Sequence, residues 1–146
     1  QLALGADIRL ATPSSQWAIL EARWGIVPDM GISRTAQGVL RQDVLRELTY
    51  SGRVFSGEAA AEYGLVTHLS DNPLAAAYAL AAELAERSPD AHVAAKRVLQ
   101  TMQTKPLKTL RMEKIWQIKL LLGKNQRRAV KKDRDPQTEF LPRQFD

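Results

Sequence analysis

The sequence predicts an α/β fold in its first half and a series of helices in its second. Three observations indicate this: apolar runs typical of strands at residues 8–11, 17–20 and 65–69, short helical patterns between them, and proline-opened helices beyond residue 72. The chain has 146 residues, 45% of them hydrophobic, which is enough to bury the core of one domain.

The first predicted strand covers residues 8–11, where apolar and polar residues alternate. A Thr-Pro-Ser-Ser turn follows at residues 12–15. The bulky apolar run at 17–20 is too short to favour a helix, so we predict a second, buried strand there. Glycine and proline mark residues 24–31 as a loop, and a helix is predicted to begin near residue 31 and to run toward Leu40.

Local start and stop signals divide the next segment. Residues 42–50 fit one apolar helical face, and Gly52 is predicted to end that helix. Ser56 is suited to cap a short helix that ends at Gly64. Residues 65–69 return to the pattern of a strand.

Three further helices are predicted in the second half. Pro73 and Pro89 each follow a residue suited to capping, an asparagine and a serine, and proline is favoured at the first helical position. A third helix follows Pro106 and ends at Gly123. Its apolar positions spread around more than one face, so we expect it to bury two sides, the second of them against either the α/β half or another subunit.

Composition excludes several kinds of chemistry. The chain has no cysteine, which excludes disulfides, thiolate nucleophiles and thiolate metal ligands, and its two histidines offer little for a metal site. We therefore expect no metal. No run of about eighteen apolar residues predicts a membrane helix, and no secretion signal is visible, so a cytoplasmic location is the expectation.

The net charge of +5 is unevenly distributed. Between residues 124 and 134 a single aspartate faces six basic residues: Lys124, Arg127, Arg128, Lys131, Lys132 and Arg134. Three interpretations stay open: a solvated helix face, a contact for an anionic ligand such as nucleotide phosphates, or non-specific attraction to nucleic acid. No aromatic residue lies within this run, so a base-stacking platform is not supported.

Two carboxylates, Glu21 and Asp29, lie eight positions apart in an apolar stretch punctuated by glycine. Burial against an apolar pocket disfavours the charged form of a carboxylate, which raises its pKa and suits it to proton transfer at working pH. Asp29 also has a structural interpretation, because an aspartate after proline can form a turn and cap the following helix.

Several motifs together give the chain a family resemblance. It resembles the C-terminal part of the crotonase (enoyl-CoA hydratase/isomerase) family, and the match covers nearly the whole chain in order. The motifs that carry it are Leu2-Ala-Leu-Gly-Ala-Asp7-Ile-Arg-Leu-Ala11, Glu21 with Gly25-Ile-Val-Pro28, Ser51-Gly52-Arg53, Glu58-Ala59, Gly64-Leu65-Val66, Ser88-Pro89-Asp90-Ala91 and Phe140-Leu-Pro-Arg143-Gln-Phe145.

The resemblance implies a fold of repeated ββα turns that form a spiral. Residues 1–70 would be the C-terminal part of that spiral and carry the acid/base residues. Residues 71–146 would form a helical trimerisation region with a basic C-terminal segment. The implied assembly is a homotrimer or a dimer of trimers.

The resemblance also implies an acyl-CoA thioester substrate and an enolate intermediate whose oxygen is held by two backbone N–H groups. Both donors of this oxyanion hole lie before Gln1 in the family pattern, so we expect the chain as given to lack them. No separate cofactor is implied, because coenzyme A is part of the substrate.

The site residues follow from the same resemblance. Glu21 matches the family's catalytic glutamate, which exchanges a proton with the acyl chain. Gln1 aligns with a second glutamate of the hydratases, and an amide can hold a water but cannot accept its proton. Asp29 matches an acidic residue that the dienoyl-CoA isomerases carry at this spacing. We therefore expect double-bond isomerisation rather than hydration.

Four further residues are predicted to bind substrate. Trp24 and Pro28 belong to the pocket loop, and Lys96 and Arg143 match the following helix and the aromatic-basic C-terminus. Lys96 and the basic segment would contact the phosphates of coenzyme A.

The alternative hypothesis is a non-catalytic or RNA-binding scaffold with the crotonase fold, or an inactive truncated fragment. We expect neither nucleic acid nor a membrane as a partner.

Overall fold

The computed structural model describes residues 1–24, 26–102 and 106–145, without the side chains of residues 106–110, 112 and 113. Gly25, a residue of the predicted loop motif, lies outside the described residues. The chain divides into two units, Gln1–Ala79 and Leu80–Asp146, which we describe separately.

The first unit mixes short strands and helices, as the sequence predicts. Its elements in chain order are a 3₁₀ helix Leu2–Gly5, β1 Leu10–Ala11, β2 Gln16–Ala18, a 3₁₀ helix Glu21–Trp24, α1 Ile32–Thr35, α2 Gln42–Ser51, β3 Val54–Ser56, α3 Gly57–Glu62 and β4 His68–Leu69. The division between the units falls within α4, Pro73–Ala85. The second unit continues with α5 Pro89–Thr101, α6 Pro106–Leu122 and α7 Lys124–Arg134.

Two small sheets organise the first unit. β1 and β4 are parallel, with Leu10 opposite His68, and β2 and β3 are antiparallel, with Trp17 opposite Phe55. Trp17 of β2 and Phe55 of β3 are partly buried and pack against one buried core, which comprises Leu4, Ala11, Ile19, Ile32, Ala36, Leu40, Leu48, Ala60, Leu65 and Val66.

The predicted caps of three helices are confirmed. Gly52 follows α2 in the left-handed conformation, with a φ of 56°, and its N–H bonds to the carbonyl of Leu48. The Ser56 hydroxyl accepts a hydrogen bond from the N–H of Ala59 at the start of α3. The side chain of Asn72 caps α4 in the same way.

The strand predicted for residues 65–69 is wrong over its first part. The N–H groups of Leu65 and Val66 both bond to the carbonyl of Ala60, at 2.8 and 3.2 Å. These bonds supply partners for a carbonyl group near the end of α3, and the side chains of the two residues are buried in the core. Only His68–Leu69 pairs as a strand.

The helix predicted from residue 31 toward Leu40 is also shorter. It ends at Thr35, because Gly38 adopts a φ of 73° and turns the chain so that Gln37 and Leu40 form an isolated bridge. The strand expected at 17–20 is instead Gln16–Ala18. The carbonyl of Leu20 already accepts from Arg23 in the following 3₁₀ helix.

A glycine allows the turn before β2 to approach the start of α3 closely. A Cβ atom at position 57 would lie 2.1 Å from the carbonyl oxygen of Thr12 and 2.5 Å from the hydroxyl of Ser15. The N–H of Glu58 donates to the carbonyl of Pro13 at 3.2 Å, which ties the turn before β2 to the start of α3. Only glycine fits position 57 without moving this backbone.

The second unit contains a buried polar network that the sequence did not reveal. Asp90, in the first turn of α5, and Asn125, at the start of α7, are 1% and 0% exposed. The amide of Asn125 donates to the carboxylate of Asp90 at 2.8 Å and to the carbonyl of Leu141 at 3.0 Å, and its oxygen accepts from the N–H of Leu141. Asp90 also accepts from the N–H of Gln144 at 2.6 Å, so the network fastens the C-terminal segment.

Two expectations about the second-half helices can be compared with the structure. Ser88 occupies the N-cap of α5 but makes no capping hydrogen bond through its side chain. In α6, Trp116 is buried beneath the charged groups of Arg97 and Lys119, whereas Ile118 and Leu122 are 59% and 77% exposed in this chain. Within the chain, the described part of α6 therefore buries one side, and burial of a second side against another subunit stays a prediction.

Across the described parts of the chain, no helix combines the length and the apolar character needed to cross a bilayer.

The approach at position 57 makes a stability prediction. Replacing Gly57 by alanine forces its methyl group into the carbonyl of Thr12, so we expect the free energy of unfolding to fall by about 3 kcal/mol. Denaturant titration measures this change. Gly5→Ala is the matched control, because no atom approaches within 4 Å of a Cβ there. An equal, small effect of both substitutions would contradict the packing.

A second stability prediction concerns the polar network around Asp90 and Asn125 in the second unit. Asn125→Ala removes the amide donor to Oδ2 of Asp90 and both hydrogen bonds to the Leu141 backbone, so we expect a loss of about 2–3 kcal/mol in unfolding free energy. Hydrogen exchange should accelerate at the amides of Leu141 and Gln144. The exposed Gln117→Ala on α6 should change neither quantity. Unchanged protection of the C-terminal amides in Asn125→Ala would refute this role of the network.

Candidate active site

Glu21 begins the short 3₁₀ helix that follows β2. The turn is held by two backbone hydrogen bonds, from Arg23 to the carbonyl of Leu20 at 3.0 Å and from Ile26 to the carbonyl of Glu21 at 3.2 Å. The stem of Arg23 packs against Gly52 at the end of α2, where an added Cβ would lie 3.0 Å from its Cγ. β2 and α2 thereby fix the point from which the half-buried Glu21 side chain projects.

Glu21 lines an open cleft of about 340 Å³ in the first unit. Two of the lining residues are polar, Gln1 and Glu21. The others are apolar: Leu2, Ala3, Ala18, Leu20 and Met30. A mainly apolar wall with a few placed polar groups is typical of a small-molecule site, and the volume lies at the lower end of the range for such pockets.

The side chain of Gln1 connects two parts of this cleft. Its amide nitrogen donates a hydrogen bond to Oε1 of Glu21, and its amide oxygen accepts one from the N–H of Met30 at 3.1 Å. The sequence identified position 1 as a departure from a two-glutamate pattern. The bonds themselves could not be foreseen, because they depend on the path of the loop between Glu21 and Met30.

Three predicted site residues of this loop, Trp24, Pro28 and Asp29, are not part of the cleft lining. Asp29 is exposed and directly precedes Met30, which lines the cleft. Trp24 is 76% exposed at the end of the 3₁₀ helix, and Pro28 is half-buried. The structure thus brings Gln1, Glu21 and Met30 together, and Asp29 adjoins them along the chain.

The other predicted substrate-binding residues belong to the second unit. Lys96 is exposed on α5, and Arg143 is exposed in the segment that the Asp90 network fastens. In the basic run, Lys132 pairs with Glu86 at 2.7 Å, and Arg128 donates to the carbonyl of Glu139 at 2.6 Å. These contacts favour the interpretation of the run as a structured helix face.

The pair between Lys132 and Glu86 also affects ionisation. The hydrogen bond and the charge of Lys132 hold the pKa of the Glu86 carboxyl below its ordinary value. Among the described residues, no cluster of three histidine or acidic side chains could hold a metal ion.

Known proteins similar to this chain are acyl-CoA enzymes by name. Carnitinyl-CoA dehydratase of Shigella flexneri is 31% identical over 113 residues, which are 73% of this chain and 42% of that protein. The mitochondrial Delta(3,5)-Delta(2,4)-dienoyl-CoA isomerase of Mus musculus is 34% identical over 92 residues, which are 60% of this chain and 28% of that protein.

Solved structures agree with the fold. The crystal structure of a probable enoyl-CoA hydratase/isomerase from Mycobacterium abscessus matches with a TM-score of 0.89 and 25% identity, covering 98% of this chain and 57% of that one. The chain therefore spans about half, or less, of the length of the proteins that it matches. The family model described as Enoyl-CoA hydratase/isomerase matches residues 1–132. The chain belongs to the enoyl-CoA hydratase/isomerase family, as the resemblance of its motifs predicted.

Proposed function

We propose that the protein moves a double bond along the acyl chain of an unsaturated acyl-CoA thioester. The observation that carries this proposal is the pairing of Glu21 with an amide, Gln1, at an apolar cleft. Hydration by two carboxylates needs a second base to take the proton of the attacking water, and an amide cannot accept that proton. Isomerisation adds no water and does not need this base.

Glu21 and Asp29 would transfer the protons. One carboxylate accepts a proton from one carbon of the acyl chain, and the electron pair of the broken C–H bond moves onto the thioester as an enolate. The electrons then return to form the double bond at its new position, while the other carboxyl group donates its proton to a different carbon. Nothing is added or lost overall, and proton exchange with solvent restores both groups.

The enolate oxygen would be held by two backbone N–H groups, as the family resemblance implies. In that scheme both donors belong to the part of the family fold that this chain does not span. Each oxyanion donor is typically worth about 3–4 kcal/mol of transition-state stabilisation. Activity is therefore a proposal for the full-length protein.

The apolar side chains of the cleft would contact the acyl chain, and the exposed Trp24 and the half-buried Pro28 would extend that surface. Lys96 and Arg143 would contact the phosphates of coenzyme A, from the same or a neighbouring subunit. The exposed Ile118, Leu121 and Leu122 of α6 are suited to become buried in a homotrimer or a dimer of trimers. A cytoplasmic location stays a prediction.

The roles of the carboxylates can be tested in the full-length protein with enoyl- and dienoyl-CoA substrates. Glu21→Gln should lower kcat/KM for isomerisation by about 10³-fold, because the amide cannot exchange the proton. Asp29→Asn should cause a loss of the same order. The exposed Asp71→Asn is the matched control and should retain full activity. Product analysis by mass spectrometry and chromatography gives the rates.

Two results would overturn this assignment. If Glu21→Gln retains all acyl-CoA activity, Glu21 is not the proton shuttle. If the protein rapidly converts crotonyl-CoA to its 3-hydroxy product, and Asp29→Asn leaves that rate unchanged, the reaction is hydration.

The phosphate contacts predict a difference between two substrates. Lys96→Ala and Arg143→Ala should raise KM for an acyl-CoA severalfold, because each removes a positive charge that would face the phosphates. The same acyl group on N-acetylcysteamine lacks every phosphate, so KM for this shorter thioester should not change. Equal effects on both thioesters would contradict a phosphate contact.

A further inference from the structure

The side chain of Gln1 donates one hydrogen bond and accepts another. The side chain donates to Oε1 of Glu21, twenty positions along the chain, and accepts from the N–H of Met30, twenty-nine positions along. One side chain therefore links the start of the 3₁₀ helix to the loop that follows it. Gln1 itself is half-buried and lines the cleft.

Few side chains can make both bonds. An ionised glutamate would accept from Met30 but cannot donate to Glu21, and a lysine or an arginine would donate but cannot accept. An apolar side chain of the same length would do neither. The chemical type of residue 1, and not only its size, matches the two partners.

The bridge constrains both proposed acid/base groups. Binding Oε1 restricts the rotamers of Glu21 and leaves its second oxygen for proton transfer. The N–H of Met30 belongs to the peptide bond that joins it to Asp29, so the same amide holds the backbone that carries the second carboxylate. Proton transfer at two carbons requires both carboxylates to be correctly placed at once.

We propose that Gln1 is a positioning residue, whose amide holds Glu21 and the peptide between Asp29 and Met30 in the arrangement that double-bond isomerisation needs. This inference rests on the proposed function of Glu21. Gln1 does not exchange a proton with the substrate; it acts through the two groups that it holds.

Two substitutions change the two hydrogen bonds of Gln1 in different ways. Gln1→Met keeps the length of the side chain and removes both bonds. Gln1→Glu keeps an acceptor for Met30 but places a second carboxylate against Glu21. In the full-length protein, both variants should lower kcat for isomerisation by about 10- to 100-fold, with KM and Tm nearly unchanged. Gln16→Met, at an exposed position of β2, is the matched control and should behave as the wild type.

A double-mutant cycle distinguishes positioning from a merely structural role. Single-turnover rates are measured for Gln1→Met, Glu21→Gln and the double variant. If Gln1 acts in part through Glu21, Gln1→Met should lower the rate by a smaller factor in the Glu21→Gln background than in the wild type. Independent effects that multiply in the double variant would overturn the inference.

The cycle also separates this inference from the proposed function. If Glu21→Gln is inactive while Gln1→Met and Gln1→Glu retain wild-type kcat, the positioning role fails and the proton shuttle stands. If Glu21→Gln retains full activity, the proposed function itself fails, and the inference fails with it.

Discussion

The packing of the first unit depends on a glycine at position 57, where there is no side chain. Because no Cβ is present there, the carbonyl of Thr12 lies where a methyl group would otherwise clash, and the turn at residues 12–15 rests on the start of α3. This contact supports the antiparallel pairing of β2 with β3. β2 is followed by the 3₁₀ helix that begins at Glu21. The position of this proposed proton shuttle therefore depends on the backbone contact at Gly57, more than thirty residues further along the chain.

At the cleft, the proposed reaction depends on the hydrogen bond between Gln1 and Glu21. A carboxylate and an amide form a complementary pair, whereas two carboxylates so close together could not both ionise without strong repulsion. In the proposed function, this amide lies where hydration would use a second base, and its hydrogen bond holds Glu21 at the mainly apolar cleft. Asp29, next to a lining residue, is the second acid/base group of the proposed proton transfer.

Sequence patterns predicted those features that depend on neighbouring residues. Gly52, Ser56 and Asn72 cap their helices as expected, because a cap needs only one residue and the first or last turn. The pattern of residues 65 and 66 is typical of a strand, but their N–H groups bond to the carbonyl of Ala60 in α3. The Asp90–Asn125 pair joins residues 35 positions apart, so no local pattern could reveal it. At the site, family motifs indicated Glu21, whereas the Gln1 bridge emerged only with the folded loop.

The most direct test of isomerisation is turnover in water labelled with ¹⁸O. The full-length protein would be incubated with enoyl- and dienoyl-CoA thioesters, and the products analysed by mass spectrometry. Isomerisation by Glu21 and Asp29 predicts a product of the same mass as the substrate, with its double bond moved and no ¹⁸O incorporated. A hydroxyacyl-CoA product that carries the label would show that water had been added, and would contradict isomerisation by Glu21 and Asp29.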